Sequence, residues 1–245
     1  MSTRHFLTLL DLSPPELDGL IHRAIELKAR HRQGQKHMPL TGKVLAMIFE
    51  KASTRTRVSF EAGMSQLGGN SMFLSPRDTQ LDRGEPAEDM ARVMSRMVDV
   101  IVIRANSQAM IERFAHHSRV PVINALSDLH HPCQLLADIQ TWVEHRGDIK
   151  GRSAAWIGDG NNVCHSWIEA ARQLGFQLRI ATPKGYEPDT GIVKAAGQSV
   201  ALTHDPKEAA RGADVVVTDT WASMGQESEK NERLKAFVGY TVDTA

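Results

Sequence analysis

"VLAMIFEKASTRTRVSF", residues Val44–Phe60, joins two kinds of sequence. Its first six residues, Val44–Phe49, are continuously apolar and of strand length. From Thr54 onward, Val58, Ala62 and Ser65, with Phe60, Met64 and Leu67, recur at helical spacing until Gly68-Gly69 stops the run. The same alternation extends along the chain. Further strands are expected at Ser71–Leu74, Val98–Ile103, Val120–Asn124, Ala154–Ile157, Leu178–Ala181, Val200–Thr203 and Val215–Thr218. Helical patterns lie between them, near Pro86–Met97, Ser107–His117, Pro132–His145 and Asn162–Leu174, and an opening helix starts with Ser13 as N-cap and Pro14 behind it. Strand–helix alternation predicts parallel sheets with helices on both faces. The pattern breaks in the polar, glycine-containing stretch Glu144–Ser153, so two domains are expected, 1–146 and 147–245, each a doubly wound α/β unit of four strands.

Composition excludes several function classes. Among 245 residues, Lys+Arg and Asp+Glu both number 29, so no global charge draws the chain to nucleic acid and any anion site must be local. Two cysteines, Cys133 and Cys164, make no disulfide framework and lack zinc-ligand spacing. No apolar run approaches the ~20 residues that span a bilayer, and the first residues do not have the pattern of a signal peptide. A cytoplasmic protein with no membrane association is the expectation.

In open parallel sheets, ligands bind beyond the carboxyl ends of the strands, so motifs that directly follow strands carry most weight. "STRTR" does so. Ser53 stands where an N-cap belongs, and the first helical turn offers backbone N–H groups and the positive end of the dipole. Hydroxyls of Ser53, Thr54 and Thr56 add donors, and Arg55 can grip two oxygens at once. The dipole repels arginines from a first turn, which implies that an anion joins them. Arg104 ends the apolar run "VIVIR", and "LHHPCQLLAD" places His131 and Gln134 at the start of a helix after another strand. Each alone is an ordinary surface feature; their shared position at strand ends makes them candidates for one small polar anion.

"FEKASTRTRVSFEAGMSQLGG" and "HPCQLLAD" resemble the carbamoyl-phosphate motifs of the aspartate/ornithine carbamoyltransferase family, and the similarity continues along the whole chain. The resemblance implies that Ser53, Thr54, Arg55 and Thr56 hold the phosphate. Arg104, His131 and Gln134 would surround the carbamoyl group and polarise its carbonyl oxygen, with Pro132 and Cys133 of "HPCQ" among the carbamoyl-phosphate contacts. Gln80, in "SPRDTQLDRGE", resembles a glutamine that reaches into a neighbouring subunit's site, which implies a homotrimer. In the second half, Asn162, Asp219, Ser223 and Met224 resemble the ornithine-binding positions, with the Asp219 charge suited to an α-ammonium and Asn162 to a carboxylate. The lysine-bearing loop of the aspartate branch is not evident around Gln80. The implied reaction is direct acyl transfer from carbamoyl phosphate to L-ornithine, with no metal and no organic cofactor.

Two rival chemistries fit less well. Gly158-Asp159-Gly160 after a strand suggests half of a dinucleotide fingerprint, but Val163 occupies the third glycine position and the next strand end, "RIATPKG", lacks a ribose-gripping acid. Adjacent histidines at 116–117 and 130–131 do not share a helix face, and no carboxylate or cysteine is spaced to complete a metal site with them. The family's "His-Cys-Leu-Pro" segment and a further arginine do not occur in this sequence. On that basis a shortened enzyme is expected, with a non-catalytic carbamoyl-phosphate-binding or assembling remnant as the alternative.

Overall fold

The computed structural model describes residues 3–75, 84–221 and 230–243. The chain divides into two compact units, Met1–Gln140 and Thr141–Ala245. The division falls within helix α5, Pro132–Arg146.

The first unit holds a parallel sheet of β1 (Val44–Phe49), β2 (Asn70–Leu74), β3 (Val100–Arg104) and β4 (Val122–Leu126), in the order β2-β1-β3-β4. Its helices are α1 (Pro14–Arg32), α2 (Thr54–Gln66), α3 (Ala87–Met94) and α4 (Gln108–His117), with α5 at its end. Because side chains of a strand alternate faces, β1 serves two cores at once. Ala46 and Ile48 pack with Met90 of α3 and Ile111 and Phe114 of α4. Leu45, Met47 and Phe49 pack on the other face with Met64 of α2. That two-sided burial explains the uninterrupted apolar run. α1 starts as its sequence predicts: the Glu16 carboxylate accepts from the Ser13 backbone N–H (2.9 Å) and Pro14 opens the helix.

The second unit repeats the plan with β5 (Ser153–Ile157), β6 (Gln177–Ala181), β7 (Val200–Thr203) and β8 (Val215–Val217), all parallel, in the order β7-β6-β5-β8. Its helices are α6 (Asn162–Leu174) and three short ones, α7 (Thr190–Ala196), α8 (Pro206–Ala210) and α9 (Lys230–Ala236). One face of the sheet packs Ala155, Ile157 and Ala181 against Ala209, Phe237 and Tyr240. The short helices lie below the length at which an apolar period stands out, yet Asp189 and Asp205 cap α7 and α8 through backbone N–H groups.

β4 starts at Val122 rather than Val120. The Ser118 hydroxyl bonds both the carbonyl and the N–H of Val120, which makes a tight turn there, and Pro121 has no N–H to lend a ladder. Among the described residues, no helix is long and apolar enough to cross a membrane.

Candidate active site

In both sheets the strand order reverses direction once, and in open parallel sheets the strand ends that flank such a reversal are where a ligand crevice forms. In the first unit the reversal lies between β1 and β3; in the second it lies between β5 and β8. Ser53–Thr56 follow β1, Arg104 ends β3, Asn162 follows β5 and Asp219 follows β8, while His131–Gln134 come after β4, the strand beside β3.

After β1 the chain turns at Ser53, whose extended backbone (φ −150°, ψ 103°) places it at the N-cap of α2. Its hydroxyl donates to Thr56 Oγ1 (2.9 Å) and makes no side-chain cap of its own. The first-turn N–H groups of α2 thus keep their donor capacity toward an incoming anion. Thr54 and Arg55 are exposed beside them. The second arginine of the motif has another task. Arg57 pairs with Glu61 (2.8 Å), and its guanidinium lies 3.9 Å from the centre of the Phe73 ring, which meets Phe49 edge-on. Arg57 belongs to the packing of α2 on the sheet, whereas Arg55 projects into solvent at the helix start.

Arg104 ends β3 directly opposite Phe49, and the register of β3 with β4 shifts between Ile103 and Arg104. Such a bulge re-aims the side chain that follows it. Arg104 is 6% exposed, and burial lowers its pKa, although a guanidinium keeps its proton in proteins. The turn after β4 brings His131 near it. Burial first, and the Arg104 charge second, lower the His131 pKa to about 4. At neutral pH His131 is therefore an uncharged imidazole, which carries a single ring N–H. Gln134 is exposed on the first turn of α5, where its amide donates to Asp138 (2.9 Å). Pro132 is buried, and the Cys133 thiol turns inward to the Asn124 carbonyl (3.4 Å), with burial pushing its pKa up to about 12. That thiol is a packing group and no nucleophile. Gln80 lies outside the described residues.

The second crevice is built around an amide. Asn161 caps α6 by accepting from the Val163 and Cys164 N–H groups, while its Nδ2 donates to Asp219 Oδ2 (3.0 Å). One side chain thereby fixes both the helix start after β5 and the carboxylate after β8. Asn162 begins α6, and its side-chain oxygen accepts from Val163 N (3.0 Å). Ser223 and Met224 lie outside the described residues. In the same unit Asp159 and Arg233 form a buried ion pair (2.7 Å), and Arg233 also donates to the Trp221 carbonyl. Burial pushes the Asp159 carboxyl up and the guanidinium opposes it. The glycines around Asp159 serve the chain itself. Gly160 donates to the Tyr186 carbonyl, and a Cβ there would come within 2.2 Å of Pro188 N. The adjacent histidines 116 and 117 stack edge to face at the end of α4, and His117 Nδ1 meets the Arg113 carbonyl.

Several partners have no signature in the sequence: Glu50, Asn106, Gln108, Asn124, Ser127 and Asp128, which tie the loops after β1, β3 and β4. Gln108 Oε1 accepts from Ser127 Oγ (2.7 Å) and Asn124 Nδ2 (3.1 Å), and Ser127 Oγ accepts from the His130 N–H (2.9 Å). Asn161 was legible in principle, as an Asx cap ahead of a helix. The remainder act across strand ends that are far apart in sequence.

Comparison with known proteins settles the family. Residues 4–144 match the family model described as "Aspartate/ornithine carbamoyltransferase, carbamoyl-P binding domain", and residues 150–245 match its "Asp/Orn binding domain". The chain belongs to the aspartate/ornithine carbamoyltransferase family. Within it, the chain is 62% identical over 243 residues to the ornithine carbamoyltransferase of Nitrosococcus oceani, a match that covers 99% of this chain and 80% of that protein. It is 59% identical to the anabolic ornithine carbamoyltransferase of Pseudomonas aeruginosa, over 100% of this chain and 80% of that one. Among solved carbamoyltransferase structures, that of the ornithine enzyme from Pyrococcus furiosus superimposes with a TM-score of 0.93 at 46% identity, covering 99% of this chain and 80% of the other.

Proposed function

We infer that this chain transfers the carbamoyl group of carbamoyl phosphate to the side-chain amine of L-ornithine, giving L-citrulline and phosphate, a step of arginine biosynthesis. The observation that carries the inference is the switch point of the first sheet. An anion-ready helix start and the Arg104 strand end flank it, in a chain closely related to ornithine carbamoyltransferases.

The parts divide the chemistry between them. The start of α2, with Ser53, Thr54, Arg55 and Thr56, takes the phosphate, since backbone N–H groups and a bidentate guanidinium suit its oxygens. Arg104, neutral His131 and Gln134, with Pro132 and Cys133 in the same turn, face the carbamoyl carbonyl. As the amine nitrogen bonds to the carbamoyl carbon, charge grows on the carbonyl oxygen, where those donors stabilise it. The C–O bond to phosphate then breaks, phosphate departs into the α2 site, and the proton lost by the amine leaves with it. A neutral imidazole suits this role, because it donates a hydrogen bond without adding charge to the Arg104 pocket. Asp219 holds the α-ammonium of ornithine and Asn162 its carboxylate, with Ser223 and Met224 beside the side chain.

The same reading assigns residues 1–146 to carbamoyl phosphate and 147–245 to ornithine. It also includes a cytoplasmic homotrimer, in which Gln80 completes a neighbour's site. Citrulline formation from carbamoyl phosphate and ornithine, measured together with solution mass, tests it. Carbamoyl phosphate binding without citrulline would leave a binding remnant instead, and a fully active monomer would remove Gln80 from the site.

A further inference from the structure

Glu50 and Asp128 are two carboxylates beside a crevice read above as a site for a doubly charged anion. Electrostatically both oppose such a ligand, so their presence calls for a reason. Their contacts follow one pattern. The Glu50 N–H donates to the Arg104 carbonyl (2.8 Å), and Glu50 Oε2 accepts from the Asn106 N–H (2.6 Å). The Asp128 N–H donates to the Asn106 carbonyl (3.1 Å), and Asp128 Oδ1 accepts from the Gln108 N–H (2.8 Å). Each residue gives its backbone N–H to one carbonyl and takes the N–H two residues further on. Glu50 grips the loop after β3 from the β1 side, and Asp128 grips its next step from the β4 side.

The gripped segment runs from Arg104 to the first residue of α4 and begins at a register shift in the sheet. Backbone pairing continues past the shift through Glu50 N–H to the Arg104 carbonyl and Ala105 N–H to the Leu126 carbonyl (3.0 Å) and then ends. The two carboxylate oxygens carry it further, as acceptors for the Asn106 and Gln108 N–H groups that no strand carbonyl meets. Asp128 also lies in the turn that Ser127 anchors, immediately ahead of His131.

We propose that Glu50 and Asp128 are paired positioning residues, which clasp the loop after β3 from both sides and so fix Arg104 against the α2 anion loop and the His131 turn. The proposal rests on the carbamoyl-transfer reading. The clasp needs an acceptor oxygen in the right place and no negative charge, which makes amide variants the informative control.

The experiment compares Glu50→Gln, Glu50→Ala, Asp128→Asn and Asp128→Ala with the unaltered chain, using inorganic phosphate binding, citrulline turnover, thermal unfolding and amide hydrogen exchange. Both alanine variants should lower kcat about 10- to 100-fold, the size of a small misplacement of a reacting group. Phosphate affinity should stay within about twofold, because the backbone of α2 supplies that site. Exchange at Asn106 should quicken in Glu50→Ala, and at Gln108 in Asp128→Ala, as each amide loses its acceptor. The amide variants should keep most of the turnover and the slow exchange. Amide variants as impaired as alanine variants, or alanine variants with unchanged kcat, would overturn the proposal alone. An unaltered chain that binds no carbamoyl phosphate would overturn the functional reading, and the positioning role with it.

Discussion

On the proposed reading the two crevices face opposite electrostatic demands, an anion at the first and an ammonium at the second, and they are built differently. At the first, between β1 and β3, donors are left exposed: Thr54 and Arg55 face solvent, and Ser53 spends its hydroxyl on Thr56 rather than on a cap. At the second, between β5 and β8, the charged groups are already bonded within the protein, Asp219 by Asn161 and Asp159 by Arg233. An anion site can be assembled from a helix start, whose N–H groups are fixed by the backbone whether or not a ligand is present. The backbone equivalent for an ammonium is a helix C-terminus, but the carboxyl edge of a parallel sheet presents helix N-termini, as α6 does here, so a carboxylate held by neighbouring side chains must supply the negative charge. The α2 side of the first crevice is thus pre-formed by secondary structure, and the second crevice by a tertiary hydrogen-bond network.

The contrast can be broken in graded steps. Arg104→Ala should do the most damage. On the proposed reading it removes a buried cation that faces the carbamoyl oxygen, and turnover should fall about 10²- to 10³-fold, the usual loss for one preorganised oxyanion donor. Steady-state citrulline assays read it, and a loss below tenfold would remove Arg104 from the carbonyl.

The next test is pH. The folded His131 pKa, about 4, lies below its ordinary value of 6.5, so between these limits the unfolded chain binds the proton that the folded one refuses. Stability should therefore be intact above pH 6.5 and decline as pH falls toward 4. The loss is at most about 3 kcal/mol, since a tenfold change in proton affinity is worth about 1.36 kcal/mol. Urea midpoints across that range, with and without His131→Gln, isolate the contribution.

Arg55→Ala should weaken carbamoyl phosphate by roughly 1.5–3 kcal/mol, about ten- to a hundredfold, and leave norvaline, an ornithine analogue without the amine, unaffected. Calorimetry with each ligand separates the two outcomes. Asp219→Asn should do the reverse, weakening norvaline about tenfold, at the lower end of the value of a charged hydrogen bond. Equal weakening of both ligands would make Asp219 a structural residue and dissolve the contrast. The smallest effect belongs to Asn161→Ala, which removes the α6 cap at a cost of about 1 kcal/mol in stability. It should also loosen norvaline by freeing Asp219. A loss of stability with no change in norvaline affinity would show that Asp219 needs no fixed partner.

The sequence by itself determined the sheet architecture, because each buried strand of the first unit must be apolar on both faces and each long helix must carry its period. Val44–Phe49 and α6 at Asn162–Leu174 occur with the predicted bounds for that reason. It also determined the strand end and helix start on which the proposed anion site rests, since "STRTR" behind an apolar run is a local feature of strand, cap position and first turn. Local sequence could not divide labour within that motif. Arg55 and Arg57 look alike until Phe73 and Glu61 claim Arg57. Nor could it find Glu50 and Asp128, whose partners lie on other strands, or choose between Asn161 and Asn162 as the residue that holds Asp219. Those choices depend on strand order, which brings distant strand ends side by side. Periodicity reports which face of an element is buried; only the tertiary structure decides what that face, or the loop beyond it, comes to meet.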